Sequence, residues 1–138
     1  MNIALMSDEH RQELMVQFCI AYCGILSKHN ICATHTTGRM VADATGLDVQ
    51  LLLTHDHGGC QQIGARIAYD EIDMVLFFIA PKNEKYGDDL QYICLLCDQN
   101  NIPYATNIGT AEMLIQGLAR GDLDWRDIIR PQKRKLTL

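Results

Sequence analysis

Three short stretches gather hydroxyl, imidazole, thiol and glycine at spacings that suit one small anion. Thr34-His35-Thr36-Thr37-Gly38 opens directly onto a helical pattern. Hydroxyls beside the unpaired N–H groups of a first helical turn make a cradle for phosphate oxygens, and the same threonines would serve equally as plain helix caps. Thr54-His55-Asp56-His57-Gly58-Gly59-Cys60-Gln61-Gln62 carries paired glycines, which let backbone approach a ligand closely, and sets Cys60 in the first turn of the next helix. A thiol there is expected to titrate low, through the helix dipole and any protonated histidine nearby; the plainer reading is a turn followed by a packed cysteine. Pro103-Tyr104-Ala105-Thr106-Asn107 ends in a further hydroxyl–amide pair. If their loops converged, His10, His35, His55, Asp56, His57 and Cys60 would be chemically acceptable to zinc. These loops hold neither a His-x-x-x-His nor a paired-cysteine motif, so no metal is expected. A Cys60–histidine nucleophilic centre has no local signature.

Positioning such loops is the task of elements whose apolar period switches between two and 3.6. Strands are expected at Asn2–Ser7, Ile31–Thr34, Val49–Thr54, Ile72–Ile79 and Pro103–Thr106. Helices are expected at Asp8–Lys28, Gly38–Thr45, Gly59–Tyr69 and Asp88–Asn100, with two more near Thr110–Arg120 and Leu123–Ile129. Ser7 or Asp8 would cap the first helix, and Gly46 would end the second in a left-handed turn. The alternation predicts a single doubly wound α/β domain with a five-stranded, mainly parallel sheet and helices on both faces. Right-handed crossovers bring every strand's carboxyl end to one edge, so the site should be built from Ser7–His10, Thr34–Gly38, Thr54–Gln62, Ala80–Asp89 and Thr106–Thr110.

Composition narrows the classes of function. Apolar residues at 48% and charged residues at 21% describe a globular chain long enough to bury a core. A net charge of −5 argues against a nucleic-acid groove, and no apolar run reaches membrane-spanning length. The N-terminus reaches Asp8 and Glu9 without a basic region, unlike a signal peptide. Six cysteines without such a signal read as reduced thiols of a cytoplasmic protein; Cys19 with Cys23 and Cys94 with Cys97 fall in helical apolar patterns and read as core. Residues 1–130 are taken as the domain and 131–138 as a basic tail, with Arg126, Arg130, Lys133, Arg134 and Lys135 as a solvated terminus.

Five motifs together carry a resemblance: Thr34-x-Thr36-Thr37-Gly38, Ala44-Thr45-Gly46, Gly58-Gly59-x-Gln61-Gln62-x-Gly64, Ile72-Asp73-x-x-x-Phe77-Phe78, and Asn101-Ile102-Pro103-x-Ala105-Thr106-Asn107. From Ile3 to about Ile129 the chain resembles the methylglyoxal synthases. That resemblance implies conversion of dihydroxyacetone phosphate to methylglyoxal and phosphate: a carboxylate removes a carbon-bound proton, and the enediolate expels phosphate. It implies no metal or organic cofactor, a hexamer of identical chains, and a small phosphorylated metabolite or inorganic phosphate as the partner, with no nucleic acid and no membrane.

Carried over residue by residue, the resemblance gives catalytic positions at Cys60, Asp89 and Asp8. Phosphate and substrate positions are Thr34, His35, Thr36, Thr37, Thr54, His55, Gly59, Gln12 and Tyr86. Several depart from the family pattern. Cys60 stands where the family has aspartate, Asp8 and Tyr86 where it has histidines, and Gln12 where it has lysine. His35 stands for glycine, Thr54-His55 for a Ser-Gly pair, and Ala80 for an aspartate before proline. Removing a general base commonly costs about 10²–10⁴-fold in rate. Cys60 would replace it only as a thiolate, and Asp56 would be the alternative carboxylate. Two readings follow: an enzyme still eliminating phosphate, or a non-catalytic phosphometabolite sensor like the allosteric domain of carbamoyl phosphate synthetase.

Overall fold

In a computed structural model, residues 1–129 are described; Arg130 and the expected tail lie outside the described residues. Strand β1 (Asn2–Ser7) is central. It is flanked by β2 (Asn30–Ala33) and then β3 (Val49–Leu51) on one side, and by β4 (Met74–Phe78) and β5 (Tyr104–Ala105) on the other. All four pairings are parallel, so the five-stranded sheet is wholly rather than mainly parallel. Ile3 lies opposite Ile31 and Met74, and Leu5 opposite Ala33 and Leu76.

Helices cover both faces because the strands are apolar on both sides. Ile3 and Leu5 face a layer containing α1 (Gln12–Ala21), α3 (His35–Thr45) and α6 (Ile108–Arg120), which contribute Met15, Phe18, Val41 and Ile115. Ala4 and Met6 face α4 (Gly59–Ala68) and α5 (Gly87–Gln99), which contribute Ile63, Ile67, Ile93 and Cys97. The period of two thus sends alternate residues of one buried strand into two separate cores. Among the described residues, no helix is long and apolar enough to cross a membrane.

Several boundaries differ from expectation. The first helix starts at Gln12, not Asp8, with Arg11 at the cap; Asp8 is occupied elsewhere and Ser7 bonds Thr37. It breaks at Tyr22 (φ −111°, ψ 23°) into a short α2 (Cys23–Leu26), and the Tyr22 hydroxyl donates to Glu112 of α6. Strand β3 ends at Leu51, and just past it the Leu53 N–H donates to Gln62 Oε1 at 2.7 Å. Gly46 does end α3 in the left-handed region, at φ 74°.

The last helix, α7 (Trp125–Ile129), corrects the solvated-terminus reading for Arg126. Its side chain is 1% exposed; Nε donates to Asp73 Oδ1 at 2.9 Å and Nη2 to Asp70 Oδ1 at 3.0 Å. Nη1 donates to the Asn101 carbonyl at 2.9 Å. Asp73 also accepts from the Asn2 N–H at 2.7 Å, so this cluster fastens α7 to the amino-terminal edge of the sheet.

Candidate active site

The strand order places the topological switch between β1 and β4, where open parallel sheets bind ligands. Asp8 bridges that gap. Its N–H donates to the Phe78 carbonyl at 3.1 Å, and its Oδ2 accepts from the Ala80 N–H at 2.8 Å and from Asn83 Nδ2 at 2.9 Å. Oδ1 accepts from the His10 N–H at 3.1 Å. The side chain is fully buried, and both oxygens are engaged in joining the loop after β1 to the loop after β4. Asp8 is therefore a brace, which is at odds with an acid–base role. A cleft of about 310 Å³ opens beside it, lined by His10, Ala80, Lys82, Asn83 and Glu84. A larger groove of about 630 Å³ lies at the opposite, amino-terminal edge around Asn2, Asn30 and Arg66, away from the threonine and glycine loops.

Thr34 leaves β2 in extended conformation and starts α3 without a side-chain cap. Its carbonyl accepts from the Gly38 N–H at 2.8 Å, while the His35 N–H donates to the Leu53 carbonyl at 3.2 Å. The next two N–H groups, of Thr36 and Thr37, have no acceptor among the described residues, as expected of a first helical turn. The Thr37 hydroxyl departs from its expected phosphate role: it is buried and lies 2.8 Å from Ser7 Oγ, locking α3 to β1. Thr36 and His35 are exposed.

Gly59 sets the third loop against the second. A Cβ there would lie 2.9 Å from Thr34 Cγ2, 3.0 Å from the Thr54 carbonyl oxygen, and nearer still to the Leu53 carbonyl. Gly58 takes φ 105°, so the first glycine serves the backbone turn and the second the close approach. The Thr54 carbonyl accepts from the His57 and Gly59 N–H groups at 3.1 and 2.9 Å, and Thr54 Oγ1 lies 2.6 Å from His57 Nδ1. The carbonyl and hydroxyl of Thr54 thus hold its own loop together.

Cys60 does stand in the first turn of α4, but its side chain is fully buried in the core beneath that helix. Burial, with Asp89 nearby, pushes its thiol up to about 12, opposite to the expected lowering. Cys60 is held as the neutral thiol. Asp56 sits on the outside, 3.1 Å from Lys85 Nζ, and that lysine holds its carboxyl below the ordinary range. It belongs to a surface pair and does not face the site as the alternative base. The six cysteines are all free, and Cys97 is likewise pushed up to about 12 by burial.

His55 and Asp89 do meet. His55 Nε2 lies 2.6 Å from Asp89 Oδ2, with the side chains 16% and 26% exposed. The imidazole packs on the Tyr86 ring at 4.1 Å between centroids. Tyr86 is buried, which raises its phenol above the ordinary value, and it supports His55 from below. Gln12 begins α1 half-buried and makes no side-chain hydrogen bond among the described residues. Asn107 is spent capping α6, its Oδ1 accepting from the Thr110 N–H at 3.0 Å, so the last loop's amide is structural. Among the described residues, no group of three or more His, Cys, Asp or Glu could hold a metal ion.

Sequence reasoning did not single out Asn83, the partner of Asp8, or the pairing of His55 with Asp89. Both contacts join residues far apart in the chain, and no local spacing signals them.

The family model for the MGS-like domain matches residues 15–106. A methylglyoxal synthase from Caldicellulosiruptor saccharolyticus is 53% identical over 136 residues, which is 98% of this chain and 96% of that protein. One from Oceanobacillus iheyensis is 46% identical over 136 residues, 98% and 97% of the two chains. The crystal structure of methylglyoxal synthase from Elizabethkingia anophelis NUHP1 matches with a TM-score of 0.75 at 31% identity, covering 83% of this chain and 76% of that one. The chain therefore belongs to the MGS-like domain family, and the proteins it is similar to along nearly its whole length are methylglyoxal synthases.

Proposed function

We propose that this protein binds a small phosphate ester at the carboxyl edge of the sheet and eliminates its phosphate, taking dihydroxyacetone phosphate to methylglyoxal. The observation that carries this reading is the approach of Gly59 to Thr34, which sets the double-glycine turn against the open first turn of α3. The phosphate would accept from the Thr36 and Thr37 N–H groups and from the Thr34 and Thr36 hydroxyls. Hydrogen bonds to a charged group contribute about 1.5–3 kcal/mol each, which suits a dianion at a helix N-terminus.

In the reaction a proton leaves the hydroxymethyl carbon, and its electron pair forms the enediolate. The hydroxyl then gives its proton to the enediolate oxygen and becomes the aldehyde, the double bond shifts, and the C–O bond to phosphate breaks. The enol left behind tautomerises to methylglyoxal. No cofactor is invoked. By resemblance the family's aspartate position falls at Cys60 and its first histidine position at Asp8; Cys60 is a neutral thiol and Asp8 a brace.

The reading places the protein in the cytoplasm, supported by six free thiols. It includes a homo-oligomer, hexameric by resemblance, supported by exposed Leu53, Leu95, Met113 and Ile128. Incubation with dihydroxyacetone phosphate, trapping dicarbonyl and measuring released phosphate, is expected to give equal amounts of both. Thermal stabilisation by phosphate esters without product would instead assign a sensor, and neither product nor stabilisation would remove the site.

A further inference from the structure

We propose that His55 is the catalytic base of this chain, acting through Nδ1, with Asp89 as the residue that positions it. This rests on the elimination reading above and names the group that moves the proton.

The geometry sets aside three other candidates. Asp8 has both oxygens engaged, Asp56 faces outward onto Lys85, and Cys60 is sealed in the core. His55 sits in the same loop as Gly59, so it is carried on the segment that closes against Thr34 and the first turn of α3. Its Nε2 is 2.6 Å from Asp89 Oδ2, and its Nδ1 has no hydrogen-bond partner among the described residues. Donation of Nε2–H to a carboxylate fixes the tautomer in which Nδ1 carries a lone pair. The Tyr86 ring on one face and Asp89 from α5 hold the imidazole against rotation.

Nδ1 takes the proton from the hydroxymethyl carbon, and the C–H pair becomes the enediolate double bond. The imidazolium is stabilised by the Asp89 carboxylate. The hydroxyl passes its proton to the enediolate oxygen and becomes the aldehyde. As it does so, the imidazolium returns its own proton to the departing phosphate oxygen and the C–O bond breaks, which leaves the enol and regenerates neutral His55.

The test uses the full chain with dihydroxyacetone phosphate, comparing wild type with His55→Ala and Asp89→Asn. Removal of the imidazole is expected to lower kcat by about 10²–10⁴-fold, with KM and calorimetric affinity for inorganic phosphate changed no more than about threefold. Added imidazole should restore part of the His55→Ala rate. Asp89→Asn should lose activity comparably, because the amide donates to Nε2 and moves the proton to Nδ1. Retained kcat in His55→Ala, a loss that imidazole does not relieve, or parallel loss of phosphate binding would each overturn the assignment. A wild type that binds phosphate but forms no methylglyoxal would overturn the elimination reading and this one with it. An active wild type with indifferent variants would overturn this one alone.

Discussion

Replacing Gly59 by alanine should damage stability and ligand binding together. The added methyl would sit 2.9 Å from Thr34 Cγ2 and 3.0 Å from the Thr54 carbonyl oxygen, with the Leu53 carbonyl closer still. The two oxygens are backbone and cannot swing aside as a flexible side chain would. The Thr54 carbonyl is further fixed by the His57 N–H at 3.1 Å and the Gly59 N–H itself. The third loop must therefore move away from Thr34 by several tenths of an ångström or more. Overpacking of this kind costs roughly 1–3 kcal/mol, which for a chain of this size lowers Tm by roughly 3–10 °C. Misplacement of a positioning loop by about 1 Å can cost as much as 10²-fold in rate, so phosphate affinity and turnover should fall with stability. Gly24→Ala is the control: it lies in helical α2 with nothing within 4 Å, and alanine there should stabilise by up to about 1 kcal/mol. Calorimetric melting and phosphate titration of both variants check this. A Gly59→Ala protein that melts with the control and binds phosphate like wild type would refute the close-approach argument.

Arg126→Leu should cost about 3–5 kcal/mol in urea denaturation, because it removes a buried guanidinium that donates to both Asp70 and Asp73; a loss under about 1 kcal/mol would contradict that role. Asp8→Ala should cost about 1–3 kcal/mol by leaving the Ala80 N–H without its acceptor, measured the same way. Stability should also fall at alkaline pH. Burial pushes Cys19, Cys60 and Cys97 from 9.0 to about 12. Their contribution is whole below pH 9, where both states keep the proton, and is lost as pH rises towards 12, because the unfolded chain ionises first. Each thiol then removes up to about 1.4 kcal/mol per pH unit, so a urea midpoint unchanged through about pH 10.5 would contradict their burial.

The sheet was legible because β1 and β4 are apolar on both faces and the helical periods between strands are plain. What sequence left open was set by tertiary contacts. Asp8 looked like a helix cap until the loop after β4 took both of its oxygens. Arg126 looked like part of a basic terminus, since its carboxylate partners lie far back in the chain. Cys60 was located correctly, yet local position alone suggested a low thiol pKa, whereas packing beneath α4 decides it. Gly58-Gly59 was readable as a close approach, but its partner Thr34 follows only from the adjacency of β2 and β3. His55 and Asp89 meet where the loop before α4 reaches the first turn of α5, which no spacing encodes.

The most direct measurement is a crystal structure of the chain with inorganic phosphate or a non-hydrolysable phosphonate analogue of the triose ester. An anion held by the Thr36 and Thr37 amides, with its carbon chain running past Gly59 towards His55, is the predicted result. Density for the anion only at the amino-terminal groove, or none at α3 under saturating ligand, would contradict it.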